Sequence, residues 1–484
     1  MHCVFLFWTG GQAPGGNSSV PALTRSAPYG QADIEGEADR QIMQRTFTAF
    51  CASLVLAGCA ARAAAPVEPF GCQTGAWRLE NGRTVTMSEI PTGGLRWRLE
   101  DGRAGKLLRD GENWRGTTGW TDRVDVTPVA FGDCTRGLVT FDGQPATRLA
   151  FLQTVTTFQG KGEILAGKLV MPPGDDPVPV LVEVHGSERD AATSFNMFQQ
   201  MAPALGVGVF VYDKRGTGAS TGKYTQDFDL LAADAAAAVA EARRLAGARA
   251  SRIGLHGSSQ GGWVAPLAAQ LAPVDFVIVG YGLAENPLAE NRAQTIQDVA
   301  RAGYGPDEQA AAGQLADAAG EVMASNFDSG FDHLERLKKR HRKAPWFTHA
   351  KGEFTGEIAA YPPWLLRIGG PSRNQGTTWR HDPLPVLRML DVPMLWILAG
   401  ADTEAPIDET RRRLLALSHE GRPITLAEFP DTEHGMLEFE KGATDERIST
   451  RYADGYFRMV ADWARDSTLP APPYGRAAVT PSGL

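Results

Sequence analysis

The stretch Ser251-Arg-Ile-Gly-Leu-His-Gly-Ser-Ser-Gln-Gly-Gly-Trp263 closes an apolar run with the pattern Gly257-x-Ser259-x-Gly261. A strand that turns this sharply into a helix strains its central residue, and the flanking glycines let the turn close without a Cβ clash. Such a turn exposes the Ser259 hydroxyl at the top of a sheet. Gly262, Ala265, Ala268 and Ala269 suit a helix packed closely beneath it, whose partly positive N-terminus favours an anion developing beside the serine. The chemistry expected is nucleophilic attack by a hydroxyl. Serine is a weak nucleophile at neutral pH, so it needs an adjacent base, and the base needs a carboxylate that fixes its tautomer and stabilises the imidazolium.

The elements around Ser259 set the frame. Pro177-Val-Pro-Val-Leu-Val-Glu-Val-His185-Gly-Ser187, Val207-Gly-Val-Phe-Val-Tyr-Asp213, the run into Ser259 and Val274-Asp-Phe-Val-Ile-Val-Gly280 are continuous apolar segments rich in β-branched residues. Apolar character on both faces indicates parallel strands covered by helices. A helical stretch ending near Leu205 and an Ala/Leu-rich helix over Asp229 to Leu245 separate them, so the pattern predicts a doubly wound α/β sheet. Residues 66–150 read instead as short alternating strands with Asn-Gly, Asp-Gly and Thr-Gly-Gly turns, a small antiparallel β domain. Its Trp77, Trp97, Trp114 and Trp120 are expected in a small core rather than on a sugar-binding face.

With Val184-His-Gly-Ser187, Tyr212-Asp-Lys-Arg-Gly-Thr-Gly218, Gly257-Ser-Ser-Gln-Gly-Gly262, Gly400-Ala-Asp402 and Glu433-His434-Gly435 in this order, the chain resembles the α/β-hydrolase superfamily. Within it the resemblance is to bacterial esterases and the dienelactone-hydrolase-like or prolyl-oligopeptidase-like branch. It covers residues 151–466 and implies a mostly parallel sheet with the site order Ser, acid, His. Asp391-Val-Pro-Met-Leu-Trp-Ile-Leu-Ala-Gly400 reads as a buried strand with Asp402 just past its end, where open α/β sheets carry their active-site groups. Asp402 is the expected acid, with Glu404 and Asp408 as rivals. Ile424 to Phe429 gives a final strand, and His434 follows in a loop, which makes it the expected base. His185 and His256 are read as structural, and His333, His341 and His349 as solvated.

The oxyanion of a tetrahedral intermediate needs two preorganised donors: the backbone N–H of Gln260, and a second at Gly186 or Ser187. His-Gly-Ser stands where the family commonly has His-Gly-Gly, which leaves the second donor open. Residues 284–385 interrupt the alternation with helices, a basic run from Glu335 to Lys343 and aromatic, Pro-rich turns. The resemblance makes this insertion a lid, with Tyr361, Trp364 and Trp379 as candidate substrate-binding walls. The expected activity is hydrolysis of small-molecule carboxylic esters through an acyl-enzyme, with no metal or organic cofactor. The alternative is a serine peptidase of aminopeptidase or prolyl-oligopeptidase type, for which the sequence identifies neither a β-propeller nor a glutamate pair to take a free amino terminus.

The chain has 484 residues, 43% of them hydrophobic, and a net charge of −8. That balance fits a globular catalytic domain with a smaller companion and gives no basic surface for nucleic acid. Residues 1–42 are Gly-, Pro- and Ser-rich and read as a disordered or non-native leader. From Met43, a charged start, an apolar Phe47–Leu56 and small residues at Leu56-Ala-Gly-Cys59 read as an export signal over 43–65. Leu-Ala-Gly-Cys resembles the lipobox of bacterial lipoproteins, which would make Cys59 a lipid anchor on an exported, periplasmic or membrane-attached protein. Export would leave Cys72 and Cys134 in an oxidising compartment, where they are expected to pair. Residues 467–484 read as a disordered tail.

Overall fold

The structure is a computed structural model, and it describes residues 70–483 apart from 112, 133–135, 444–445 and 471–472. The leader, the export signal with Cys59, and Cys134 lie outside the described residues. Cys72 lies in the turn that opens the first domain.

Turn residues divide the N-terminal domain into eight strands: β1 (Gly75–Leu79), β2 (Thr84–Glu89), β3 (Leu95–Leu99), β4 (Ala104–Asp110), β5 (Asn113–Thr117), β6 (Val124–Ala130), β7 (Leu138–Phe141) and β8 (Gln144–Arg148). Asp142 and Gly143, at φ 51° and 71°, form the two-residue loop joining β7 to β8, the positive-φ pair that a tight hairpin favours. Each strand pairs antiparallel with the next, and β1 returns to β8 through Trp77 opposite Arg148. The expected antiparallel domain is therefore a closed barrel, which leaves no free sheet edge. Alternate residues point inward, so Trp77, Val85, Met87, Trp97, Leu99, Trp114 and Phe141 fill its interior. Trp120 lies outside that core, edge-on to Tyr452 with the Arg96 guanidinium 4.1 Å over its ring.

The second domain is built on a nine-stranded sheet. In chain order its strands are β9 (Leu152–Gln159), β10 (Ile164–Met171), β11 (Val178–Val184), β12 (Gly208–Tyr212), β13 (Ala250–Ser258), β14 (Phe276–Gly280), β15 (Met394–Ala399), β16 (Ile424–Phe429) and β20 (Ala478–Thr480). In space the order is β9-β10-β12-β11-β13-β14-β15-β16-β20, parallel from β12 to β16 and antiparallel at both edges. The continuous apolar runs are explained by helices on both faces. Met394, Trp396 and Leu398 face one layer, with α3 (Phe228–Ala246), α4 (Gly261–Leu271) and α11 (Asp408–His419). Leu395, Ile397 and Ala399 face the other, with α2 (Phe198–Ala204) and α12 (Tyr456–Asp466). The strand order reverses between β11 and β13, the position where open α/β sheets form a crevice at their carboxyl ends.

Between β14 and β15 the chain leaves the sheet for α5 (Pro287–Arg301), α6 (Pro306–Ala324), α7 (Phe331–His341), α8 (Thr355–Ala360) and α9 (Pro363–Gly369). α10 (Leu384–Met389) returns to the sheet layer through Val386 and Leu387. The basic run lies on α7, whose apolar side buries Phe331, Leu334 and Leu337. The C-terminal stretch expected to be disordered is instead partly ordered. Residues 478–480 form β20 against β16, because the outer edge of β16 offers unpaired backbone groups that an extended tail can satisfy.

Candidate active site

β13 and β11 pair in register, Val184 opposite Gly257, so two residues further on each strand Gly186 and Ser259 come together. Ser259 takes φ 53°, a strained conformation for a residue with a side chain. The glycines are there for space: a Cβ on Gly257 would lie 2.2 Å from the Gly261 carbonyl oxygen, and one on Gly261 would lie 2.0 Å from the Val184 carbonyl oxygen. The Ser259 N–H donates to Gly280 O at 3.0 Å, which holds the turn against β14. α4 starts two residues later with Gln260 as its N-cap.

Asp402 lies three residues past the end of β15 and is 3% exposed. One carboxylate oxygen, Oδ1, accepts the backbone N–H groups of Glu404 at 2.9 Å and Ala405 at 2.8 Å. The other, Oδ2, stands 2.8 Å from His434 Nδ1. His434 follows the short strand β17 (Thr432–Glu433) in a three-stranded sheet with β18 (Leu437–Lys441) and β19 (Arg447–Tyr452). Its Nε2 lies 3.0 Å from Ser259 Oγ, and its ring meets Tyr281 edge-on at 4.9 Å. In the neutral ring, with Nδ1–H donated to Asp402, Nε2 can accept the serine proton. Of the rival acids, Glu404 reaches the other ring nitrogen at 3.8 Å, and Asp408 is exposed beside Arg411.

Burial pushes the His434 imidazole down, but Asp402, Glu404 and Glu290 more than offset this and raise it to about 9. Gln260 sits at the amino end of α4, beside the serine. Gly186 adjoins the nucleophile as well: a Cβ there would lie 3.2 Å from that of Ser259. Among the described residues no group of three or more His, Cys, Asp or Glu is arranged to hold a metal ion.

Residues 175–282, from β11 through the turn after β14, match the family model described as serine aminopeptidase, S33. That match spans the strand pair and nucleophile turn on which this geometry rests. The chain is a member of the α/β-hydrolase superfamily. Esterase EstD of Thermotoga maritima is 26% identical to this chain over 304 residues, covering 59% of the chain and 63% of the relative. The match thus spans less than two thirds of that relative's length. Among solved structures, an esterase of Pyrococcus furiosus aligns at TM-score 0.39 and 15% identity, over 59% of this chain and 84% of its own. An acylaminoacyl peptidase of Pyrococcus horikoshii aligns at TM-score 0.35 and 16% identity, over 73% of this chain and 51% of its own.

The segment inserted between β14 and β15 carries carboxylates that act on the triad's histidine and that sequence reasoning did not identify as a group. Glu290 on α5 is pushed well above the ordinary carboxylate range by burial and by Glu353 and Glu404, against the pull of His434. Glu353 is raised to about 8 by burial, Glu404 and Glu357. These groups are 51 to 114 residues apart in the chain, so no local motif reveals them. Their placement follows from α5: Gln294 Nε2 donates to the Glu404 carbonyl, and Asn291 Oδ1 accepts the Phe354 N–H at 3.0 Å. The three aromatic residues expected as substrate walls all lie within the insertion. Trp364 is 63% exposed on α9, because the buried side of that short helix is taken by Leu366. Trp379 is buried edge-on to Phe354 with its indole N–H on Asn374 Oδ1, a packing position within the insertion. The carbonyl of Tyr361 accepts from Lys338 Nζ at 2.9 Å.

Proposed function

We propose that this protein hydrolyses carboxylic esters through an acyl-enzyme formed on Ser259. The hydrogen-bonded chain Ser259 Oγ, His434 Nε2, His434 Nδ1, Asp402 Oδ2, with links of 3.0 and 2.8 Å, carries this reading. Ser259 Oγ attacks the ester carbonyl carbon as its proton passes to His434 Nε2, and the negative charge gathers on the carbonyl oxygen. N–H donors at Gln260 and in the Gly186–Ser187 segment stabilise that oxygen. Collapse breaks the carbon–oxygen bond to the alcohol, which leaves with the proton from His434. Water, deprotonated by the same nitrogen, then releases the acid and restores Ser259. The name of the Thermotoga relative, an esterase, supports this class. Ser259→Ala is expected to lower turnover of p-nitrophenyl acetate by several orders of magnitude with folding intact. Retained turnover in that variant would refute the mechanism.

A second reading is favoured by Glu404, whose Oε1 stands 3.8 Å from His434 Nε2, together with Glu290 and Glu353, whose charges act on the same imidazole. Such a site suits an acyl group bearing a free ammonium, as in aminoacyl esters or an amino-terminal peptide residue. The description of the matching family model, a serine aminopeptidase, points the same way. Comparing kcat/KM for aminoacyl p-nitroanilides, aminoacyl esters and p-nitrophenyl acetate separates the two readings. Two further proposals rest on the sequence: export through residues 43–65, with lipidation at Cys59, and a Cys72–Cys134 bridge. Mass spectrometry of the mature N-terminus tests the first, and thiol counting with and without reductant tests the second.

A further inference from the structure

The carbonyls of the segment that borders Ser259 are both held by side chains from another loop. Lys214, 4% exposed, donates from Nζ to Gly186 O. Tyr224 donates its hydroxyl to Ser187 O at 2.5 Å, and Gln226 Nε2 in turn donates to that hydroxyl at 3.2 Å. The Lys214 ammonium lies 5.1 Å from the centre of the Tyr224 ring, so the two form one unit. Their loop is itself fixed through Asp213, which follows β12. Its Oδ1 accepts the Thr193 N–H and its Oδ2 accepts the Ala219 N–H, at 2.9 and 3.0 Å.

In a trans peptide the C=O of one residue and the N–H of the next point in opposite directions. Fixing the Gly186 carbonyl toward Lys214 therefore fixes the Ser187 N–H on the opposite side of that peptide plane. The Gly186 Cα is already against the nucleophile, since a Cβ there would be 3.2 Å from Ser259 Cβ. We infer that Lys214 and Tyr224 are positioning residues which aim the Ser187 N–H at the oxyanion, making Ser187 N rather than Gly186 N the second donor. The cation on the carbonyl also polarises the peptide, so its N–H donates more strongly. This explains why a lysine is buried here, with its charge spent on a main-chain oxygen and on Glu188. The Glu188 carboxylate is drawn down to about 2, where burial alone would raise it, by His185 first and Lys214 after it.

The inference rests on the proposed acyl-enzyme reading and is tested apart from it. Lys214→Met, Lys214→Arg and Tyr224→Phe are compared with the parent for kcat and KM on p-nitrophenyl acetate, for Ki of a trifluoromethyl ketone that adds to Ser259, and for Tm. Misaiming a single oxyanion donor is expected to lower kcat by about tenfold or more in Lys214→Met. Ki for the ketone should weaken in step, KM should stay within about twofold, and Lys214→Arg should recover part of the loss. Tyr224→Phe, which removes one oxygen, should show the same pattern more weakly and covers the case in which Lys214→Met fails to fold. Unchanged kcat and Ki in Tyr224→Phe and in the folded Lys214 variants would overturn the inference. So would losses that track Tm and KM instead of Ki. Activity surviving in Ser259→Ala would instead refute the acyl-enzyme reading itself, so the two failures are distinguishable.

Discussion

At the scale of single residues, the site depends on how His434 is charged. An imidazole held at about 9 by Asp402, Glu404 and Glu290 against burial is protonated at neutral pH, and only the neutral ring can take the serine proton. kcat/KM on a neutral ester is therefore expected to rise with pH and to level off above about 9. Glu404→Gln removes one of the raising charges without touching the serine–histidine contact, so its profile should level off at lower pH. Identical profiles for the two enzymes would show that Glu404 does not act on the imidazole. The nucleophile turn gives a second residue-scale prediction. Gly261→Ala would push a Cβ to 2.0 Å from the Val184 carbonyl oxygen, so backbone must shift. A loss of about 2 kcal/mol or more is expected, read as a lowered Tm together with reduced turnover.

At the scale of elements, the base is carried by a small sheet rather than by a free loop. β19 reaches both partners of the triad's far side: Ser449 Oγ donates to Glu433 Oε1 at 2.9 Å, and Arg447 Nη1 donates to the Ala401 carbonyl at 2.5 Å. Ser449→Ala removes a bond worth about 1 kcal/mol from the residue next to His434. kcat is expected to fall several-fold with Tm almost unchanged, measured by steady-state kinetics and thermal melting. The inserted helices are clasped similarly by Asn291, which donates to Thr355 Oγ1 at 2.8 Å and accepts from Phe354 N at 3.0 Å while buried. Asn291→Leu strands those groups at a cost of about 1–3 kcal/mol. It should also loosen Glu290 and Glu353 relative to the triad, seen as a larger change in kcat/KM for aminoacyl substrates than for p-nitrophenyl acetate.

At the scale of the whole molecule, the barrel supports the histidine from behind. Tyr452 N–H donates to Gly102 O at 2.8 Å, Trp120 N–H donates to Ser449 O at 2.9 Å, and Arg451 reaches the Asp101 carbonyl. The turn after β3 and the loop after β5 thus rest on β19, the strand that steadies the His434 segment. A Cβ on Gly102 would lie 2.3 Å from the Tyr452 carbonyl oxygen. Gly102→Val is therefore expected to lower kcat although it lies 157 residues before Ser259 in the chain, and unchanged kinetics in the folded variant would contradict this coupling.

What the sequence determined by itself was everything that repeats locally. Buried strands showed as unbroken apolar runs because helices cover both faces, and Ser259, Asp402 and His434 were legible because each stands just past such a strand. The barrel's strands were legible from alternation and turn residues, but its closure was not, since pairing β1 with β8 joins segments about seventy residues apart. Tertiary structure alone decided which carboxylates act on the imidazole, because Glu290 on α5 and Glu353 in the turn before α8 act with Glu404 only through packing. It also decided that Trp364 faces solvent and that residues 478–480 complete the sheet. Electrostatic coupling falls with distance in space and pays no regard to distance along the chain, so the charge state of the base belongs to the fold and not to any motif.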